Sequence, residues 1–390
     1  MAEPWLSIIG LGEDGLPGLS DASRQALADA EVIFGGPRHL DLVAAGARGR
    51  TWPVPFDLAP VLALRGRRVA VLASGDPFWF GAGGSLSAAL APDEWRAFPV
   101  AGVFSLAAAR LGWRLEGVTC LGLHAAPFAR LVPHLAPGAQ LICTLRDGAA
   151  VRALADWLVA QGWGASRVTV LEALGGPRER RREVRAAALG FSDIAVPVAV
   201  AIEPAGGIAL PRSPGLPEDR FAHDGQITKA PIRALTLAAL APRPGARLWD
   251  LGAGSGSISV EWALAGGRAE AVERHDGRLA NIRANVAAFG LDHRIAVHAG
   301  AARDLLSALP APDAIFVGGG FDQALFDALP RTARLVVNSV TLETESLLTA
   351  LHARHGGDLM RIDIARAEPL GGLRGWQPTR PVVQWSLPCG

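Results

Sequence analysis

Asp250-Leu-Gly-Ala-Gly-Ser-Gly256 overlaps the end of the apolar run Arg247-Leu-Trp-Asp-Leu251 and precedes a helix-like stretch at 257–265. A buried strand, a glycine-rich turn and a helix, in that order, place a ligand-binding loop at the carboxyl end of a strand. Glycines let the backbone bend tightly and approach a ligand with no Cβ in the way. The next apolar run, 269–273, ends in Glu273, 17 residues beyond Gly256, where a carboxylate can accept both hydroxyls of a ribose. A glycine-rich turn alone also reads as a plain strand-to-helix connection. The full succession of strand, glycines, helix, strand and acid favours a nucleoside site. Dinucleotide sites use G-x-G-x-x-G, whose last glycine brings a helix N-terminus to a pyrophosphate. Here the spacing is Gly252-x-Gly254-x-Gly256, so an NAD-dependent reductase is the second reading rather than the first.

Outward from that loop, a helix is expected at 276–289 and strands at 295–298, 314–317 and 334–338, with strand-like segments at 360–366 and 382–387. The first half repeats the alternation. A strand at 5–9 is cut off by Gly10-Leu-Gly-Glu-Asp-Gly15, and Ser20 or Asp21 can cap the helix that follows. Further strands read at 68–73, 118–123, 140–145, 168–171 and 196–202, with a helix at 149–161. Short apolar strands alternating with helices predict an α/β fold with largely parallel sheets. Pro204-Ala-Gly-Gly and Pro211-Arg-Ser-Pro-Gly-Leu-Pro217 separate the two series. The expected division is a domain at 1–205, a linker at 206–220 and a domain at 221–390.

Composition fits two cores: 390 residues, 50% hydrophobic and 19% charged, which excludes a disordered or fibrous chain. Basic and acidic residues number 19 and 19 in 1–210, and 19 and 18 in the remainder, so neither half is a nucleic-acid platform. Cys120, Cys143 and Cys389 lie far apart and give no disulfide framework or zinc spacing; a reduced, cytoplasmic setting is expected. The start, Met1-Ala-Glu-Pro-Trp, does not read as a signal peptide, and no run reaches the ~18–20 apolar residues of a membrane span. His352 and His355 stand i, i+3 without a third ligand, so no metal site is expected. Arg178–Arg185, interleaved with Glu179 and Glu183, reads as a solvated helix face. Lys229 is the only lysine in the chain.

Three segments of the first half belong together: Gly10-Leu-Gly12, Ser74-Gly-Asp-Pro-Phe-Trp-Phe-Gly81 and Val100-Ala-Gly-Val-Phe-Ser105. Asp76 on its own reads as an Asx-turn. With Val118-Thr-Cys-Leu-Gly-Leu-His124, Thr144, Arg146-Asp-Gly148 and Glu172-Ala-Leu-Gly-Gly-Pro-Arg-Glu-Arg180, the set resembles the tetrapyrrole methylases. That resemblance implies two α/β lobes with a cofactor between them. The 250–256 loop resembles the first motif of class I S-adenosylmethionine methyltransferases, which implies a Rossmann-like fold for the second half. The order of the two domains, with Asp224-Gly-Gln-Ile-Thr-Lys-Ala-Pro231 at the junction, Phe316-Val-Gly-Gly-Gly320 and Asn338-Ser-Val-Thr-Leu-Glu-Thr344, resembles over the whole chain the fused, decarboxylating C5,15-methyltransferases of cobalamin biosynthesis.

The resemblance implies S-adenosylmethionine at two sites per chain and a tetrapyrrole substrate, methylated at C5 by the first domain. It assigns C15 methylation and loss of the C12 acetate carboxyl to the second. The first cofactor site would use Gly12, Asp76, Trp79, Phe104, Ser105, Thr144 and Leu174. The second would use Thr228, Gly252, Ala253, Gly254, Ser255, Gly256, Glu273, Gly300, Ala301 and Ala302. Glu13 and Ala101 stand where many tetrapyrrole methylases have proline, and Ala301 where many class I enzymes have an acid. Glu13 and Ala101 leave room for a first domain that serves only as a scaffold. Lys229, Arg233 and Arg374 are the candidate cations for the substrate's carboxylates. The macrocycle supplies its own nucleophilic carbon, so no protein nucleophile or metal is required. A homo-oligomer is expected, with no nucleic acid or membrane partner.

Overall fold

Uncharged runs such as Leu-Ser-Ile-Ile-Gly-Leu form strands whose alternate residues face two separate cores. In the first lobe these are β1 (Leu6–Leu11), β2 (Val32–Gly35), β3 (Gly49–Thr51), β4 (Val69–Ser74) and β5 (Trp95–Phe98). They lie in the order β3-β2-β4-β1-β5, with every pairing parallel. Ile9, Leu11, Ile33, Ala70 and Leu72 pack on one face, while Leu6, Ile8, Phe34, Val69 and Val71 pack on the other. Ser20 caps the helix Asp21–Asp29 by accepting the Ser23 N–H at 3.2 Å.

This computed structural model describes residues 4–389. The chain divides into two units, 1–128 with 134–208, and 129–133 with 209–390. The first unit's second lobe holds β6 (Val118–Gly122), β7 (Gln140–Leu145), β8 (Arg167–Glu172), β9 (Arg180–Arg185) and β10 (Val198–Glu203). Their order is β6-β7-β10-β8-β9, and only β6 with β7 is parallel. The expectation of parallel pairing fails here; between β8 and β9 the link is too short for a crossover. The arginine-rich segment read as a helix face is strand β9. Arg180 and Arg182 alternate inward and reach the buried Glu172 at 2.6 and 2.8 Å, while Arg181 and Glu183 turn outward.

In the second unit the strands are β11 (Arg247–Leu251), β12 (Arg268–Glu273), β13 (Ile295–Ala299), β14 (Ala314–Val317), β15 (Arg334–Ser339) and β16 (Asp358–Ile362). A hairpin of β17 (Ala365–Leu370) and β18 (Leu373–Pro378) follows, and then β19 (Val382–Leu387). The seven-stranded sheet runs β13-β12-β11-β14-β15-β19-β16, parallel from β13 to β15, with β19 antiparallel to both its neighbours. Chain order reverses between β11 and β14, which makes a crevice at their carboxyl ends. β16 runs in the direction of β15, so the hairpin leaves the sheet at that same carboxyl edge. Arg374 and Trp376 stand exposed on β18.

The expected linker is fixed from residue 209 onward. Leu216 is 1% exposed in the second unit's core. The N–H groups of Gly215 and Leu216 donate to Glu261 at 2.6 and 2.9 Å. Among the described residues no helix is long and apolar enough to cross a membrane.

Candidate active sites

The loop after β11 is held open by three glycines at positive φ: Gly252 at 70°, Gly254 at 60° and Gly256 at 72°. A Cβ on Gly252 would meet the Gly319 carbonyl oxygen at 2.9 Å, and one on Gly256 would press on Ile282 at 3.0 Å. At Gly254 the nearest atom is the Gln226 carbonyl oxygen, 3.8 Å away, so this glycine borders open space. Ala253 donates its N–H back to Val272 at 3.0 Å, fixing the loop on β12.

Glu273, 4% exposed, accepts the Gly254 N–H at 3.0 Å on one oxygen and those of Arg274 and His275 at 2.8 and 3.0 Å on the other. Its carboxylate still has lone pairs to offer a ribose. Asp250, 1% exposed, accepts from the Ser259 N–H and hydroxyl at 3.1 and 2.6 Å, while its Oδ1 is buried without a partner. Burial pushes its pKa up to about 6, with the charge of Glu273 adding to the rise against the Ser259 bonds. The Ser255 hydroxyl is also buried and unpartnered. A cradle with an open glycine face, a ribose-ready carboxylate and unused polar atoms fits the nucleoside end of S-adenosylmethionine.

Gly300, at φ 151°, donates its N–H to the Glu273 carbonyl at 3.0 Å, and the turn through Ala301 into Ala302 therefore lies beside that acid. Lys229 is exposed at the start of the helix Ala230–Leu240, where Glu218 accepts the Ala230 N–H at 2.8 Å. Thr228, just before it, gives its carbonyl to Arg233. Arg233 is no substrate clamp. It is 0% exposed, bonded to Glu261 at 2.5 Å and to the carbonyls of Thr228 and Leu216, and stacked 4.8 Å from the Phe221 ring. Each of its three guanidinium nitrogens donates inside the core.

Sequence reasoning missed the residues that pin the 222–226 segment. Arg278 bonds Asp224 at 2.9 Å and Gln226 at 2.7 Å. Asn285 grips both backbone groups of Ala222 at 2.7 and 2.9 Å, and the Ser255 carbonyl at 2.8 Å. A buried asparagine on a helix face was the available signal. At the end of β15, Asn338 joins Thr236 and Gln384 in a network with bonds of 2.8, 3.0 and 2.9 Å.

In the first unit, Gly10, Gly75 and Gly102 bring the end of β1 and two loops together. A Cβ on Gly10 would overlap the Gly75 carbonyl oxygen, and one on Gly75 would lie 2.5 Å from Gly102 Cα. Gly12 borders Asp14, and Asp76 accepts the Phe78 N–H at 2.9 Å, closing the Asx-turn. Trp79, 49% exposed, packs on the buried Phe104 with ring centroids 5.7 Å apart. Leu174 lies in the same core cluster as Phe104. Ser105 is exposed one residue on, and the Thr144 carbonyl accepts the Leu123 N–H at 3.0 Å. The expected residues thus fall at the carboxyl edge of the first lobe's sheet and on the face the second lobe turns toward Phe104.

Residues 6–190 match the family of tetrapyrrole (corrin/porphyrin) methylases, and residues 219–388 match the precorrin methyltransferase domain. A precorrin-6Y C(5,15)-methyltransferase [decarboxylating] of Sinorhizobium sp. is 46% identical over 100% of this chain and 98% of its own. One of Mycobacterium tuberculosis (strain ATCC 25618 / H37Rv) is 40% identical over 97% and 98%. Among solved structures, the C-terminal domain of precorrin-6Y C5,15-methyltransferase from Rhodobacter capsulatus is 58% identical, covering 45% of this chain and 98% of that domain, with a TM-score of 0.44. With two full-length relatives at these identities, the chain belongs to the family of decarboxylating precorrin-6Y C(5,15)-methyltransferases.

Proposed function

We propose that the chain methylates precorrin-6B at C5 and C15 and releases the C12 acetate carboxyl as carbon dioxide, giving precorrin-8. The family uses S-adenosylmethionine, which supplies an electrophilic methyl group on a sulfonium sulfur. Two sites per chain are assigned: C5 methylation to the first unit, C15 methylation and decarboxylation to the second. The observation that carries the reading is the 252–256 loop at the β11/β14 crevice, with Glu273 bonded to Gly254 N–H. A ligand at the open face of Gly254 would lie beside Glu273.

The protein's part is to hold and orient. Glu273 would take the ribose hydroxyls, and Asp250, fixed by Ser259, would keep the loop in shape. Holding two reactants in line removes most of the entropic cost of a bimolecular transfer. The substrate's conjugated ring supplies the nucleophilic carbon and accepts the electrons released with carbon dioxide. Lys229 and Arg374, both exposed on elements near the sheet's carboxyl edge, remain candidates for its carboxylates.

Calorimetric titration of the intact chain with S-adenosylhomocysteine tests the reading. Two sites, one lost in Asp76→Ala and the other in Glu273→Ala, are expected, and mass spectrometry of the product counts the methyl groups. One site, lost only with Glu273, would leave the first unit a scaffold.

A further inference from the structure

Polar side chains from three strand ends of the first lobe meet beside Asp76 but outside the residues assigned above. Glu13 follows β1, Arg38 and His39 follow β2, and Ser74 closes β4, two residues before Asp76. Arg38 Nη1 is ion-paired with Glu13, and its Nη2 lies 3.1 Å from Ser74 Oγ and 2.9 Å from His39 Nε2. His39 Nε2 is 2.8 Å from the same hydroxyl, so imidazole and serine together fix the guanidinium plane.

Charge in this cluster is unbalanced. Burial, aided by Arg38, drives the His39 pKa down to about 4, which leaves the ring neutral. Arg178, in the loop after β8, is exposed and has no ion pair among the described residues, yet its charge adds to burial in pulling the Arg38 pKa down. Glu13, the one carboxylate paired to Arg38, backs onto the same loop: a Cβ on Gly176 would lie 2.6 Å from Glu13 Cβ. Arg38 thus has one paired carboxylate, while Arg178, whose charge is felt at Arg38, has none among the described residues. Such an arrangement is relieved by a second anion, and planar guanidinium groups pair carboxylates bidentately.

We propose that Arg38 and Arg178 form a carboxylate subsite of the first unit, taking one peripheral carboxylate of the tetrapyrrole. Glu13 is the internal anion that holds Arg38 in place until that carboxylate arrives. The subsite rests on the proposed function, since it presupposes a polycarboxylate tetrapyrrole at this edge. It also gives a use to Glu13, which stands where the resemblance leads one to expect proline.

The probe is uroporphyrin I, an octacarboxylic porphyrin, with its octamethyl ester as the uncharged control. Both are titrated by fluorescence into the full chain saturated with S-adenosylhomocysteine. Arg178→Gln is expected to weaken uroporphyrin binding by about tenfold, the worth of one charge-assisted hydrogen bond. Glu13→Gln is expected to tighten it several-fold, because it removes a competing carboxylate. Both variants should keep the S-adenosylhomocysteine affinity and treat the ester as the unaltered protein does. A purely structural tie predicts the opposite for Glu13→Gln, namely weaker binding together with a lower Tm, and that result overturns the proposal. So does Arg178→Gln binding uroporphyrin with unchanged affinity. If uroporphyrin fails to bind while S-adenosylhomocysteine fills both sites, the subsite falls and the methyltransferase reading stands. If S-adenosylhomocysteine itself fails to bind, both fall together.

Discussion

The Glu273 carboxylate accepts the Gly254 N–H at 3.0 Å, tying the end of β12 to the middle of the loop that leaves β11. One side chain thereby shapes the loop and stays available to a ligand on the loop's open face. Glu273→Ala removes the acceptor for three backbone N–H groups. The variant is expected to lose about 2 kcal/mol of second-unit stability and on the order of 100-fold in S-adenosylhomocysteine affinity there. Urea unfolding and calorimetry read the two effects separately. Full affinity with lowered stability would confine Glu273 to a structural role.

Asp250 makes a pH prediction. Its pKa rises from 3.8 unfolded to about 6 folded because the carboxyl is buried. Between those values the folded chain keeps a proton that the unfolded chain has released, so this group's contribution to stability falls as pH rises from about 4 to about 6. Above that window the penalty is complete, on the order of 3 kcal/mol. The difference between the unaltered protein and Asp250→Asn, followed by urea unfolding across the window, should therefore move toward the variant as pH rises. A flat difference would show that Asp250 ionises in the fold at its ordinary pKa, and an opposite one that the fold favours its charged form.

Asp76 carries two readings that a pair of variants separates. Its Oδ1 closes a turn onto Phe78 N–H at 2.9 Å. Asp76→Asn keeps that acceptor and removes the charge, whereas Asp76→Ala loses both. If the carboxylate also meets the cofactor, calorimetry should show Asp76→Ala without the first site and Asp76→Asn with it weakened by about tenfold. An asparagine variant that binds as the unaltered chain does would return Asp76 to the Asx-turn alone.

Local pattern explains what was legible in the sequence. Arg247-Leu-Trp-Asp-Leu251 and the glycines after it are contiguous, so strand, loop and helix can be read without their neighbours. β9 reads as a helix face because Arg-Arg-Arg-Glu-Val-Arg has charges on both faces. Its inward arginines make sense only once Glu172, on the adjacent strand, is buried between them. The Glu13, Arg38, His39 and Ser74 cluster draws on three strands brought side by side by parallel pairing, and no spacing in the chain announces it. The β17–β18 hairpin leaves no pattern in the sequence, because its residues are exposed throughout apart from Gly375, with no buried face to impose alternation.

Arg233 shows the same limit with a measurable consequence. One turn beyond Lys229 it reads as a clamp, but Glu261, 28 residues on, makes it a core residue. Glu261 also accepts the N–H groups of Gly215 and Leu216, so the pair fastens the start of the second unit to the helix Ser257–Leu264. Removing one partner of a buried ion pair costs about 3–5 kcal/mol, because the other charge is left uncompensated. Arg233→Met should lower second-unit stability by that order in urea unfolding. Arg233→Met with Glu261→Leu should recover only part of it, since the two N–H groups then lack their acceptor. Where the single variant is folded, its KM for the tetrapyrrole should stay within about twofold of the unaltered chain, as expected for a side chain wholly buried away from substrate. A raised KM with unchanged stability would restore Arg233 to the substrate site.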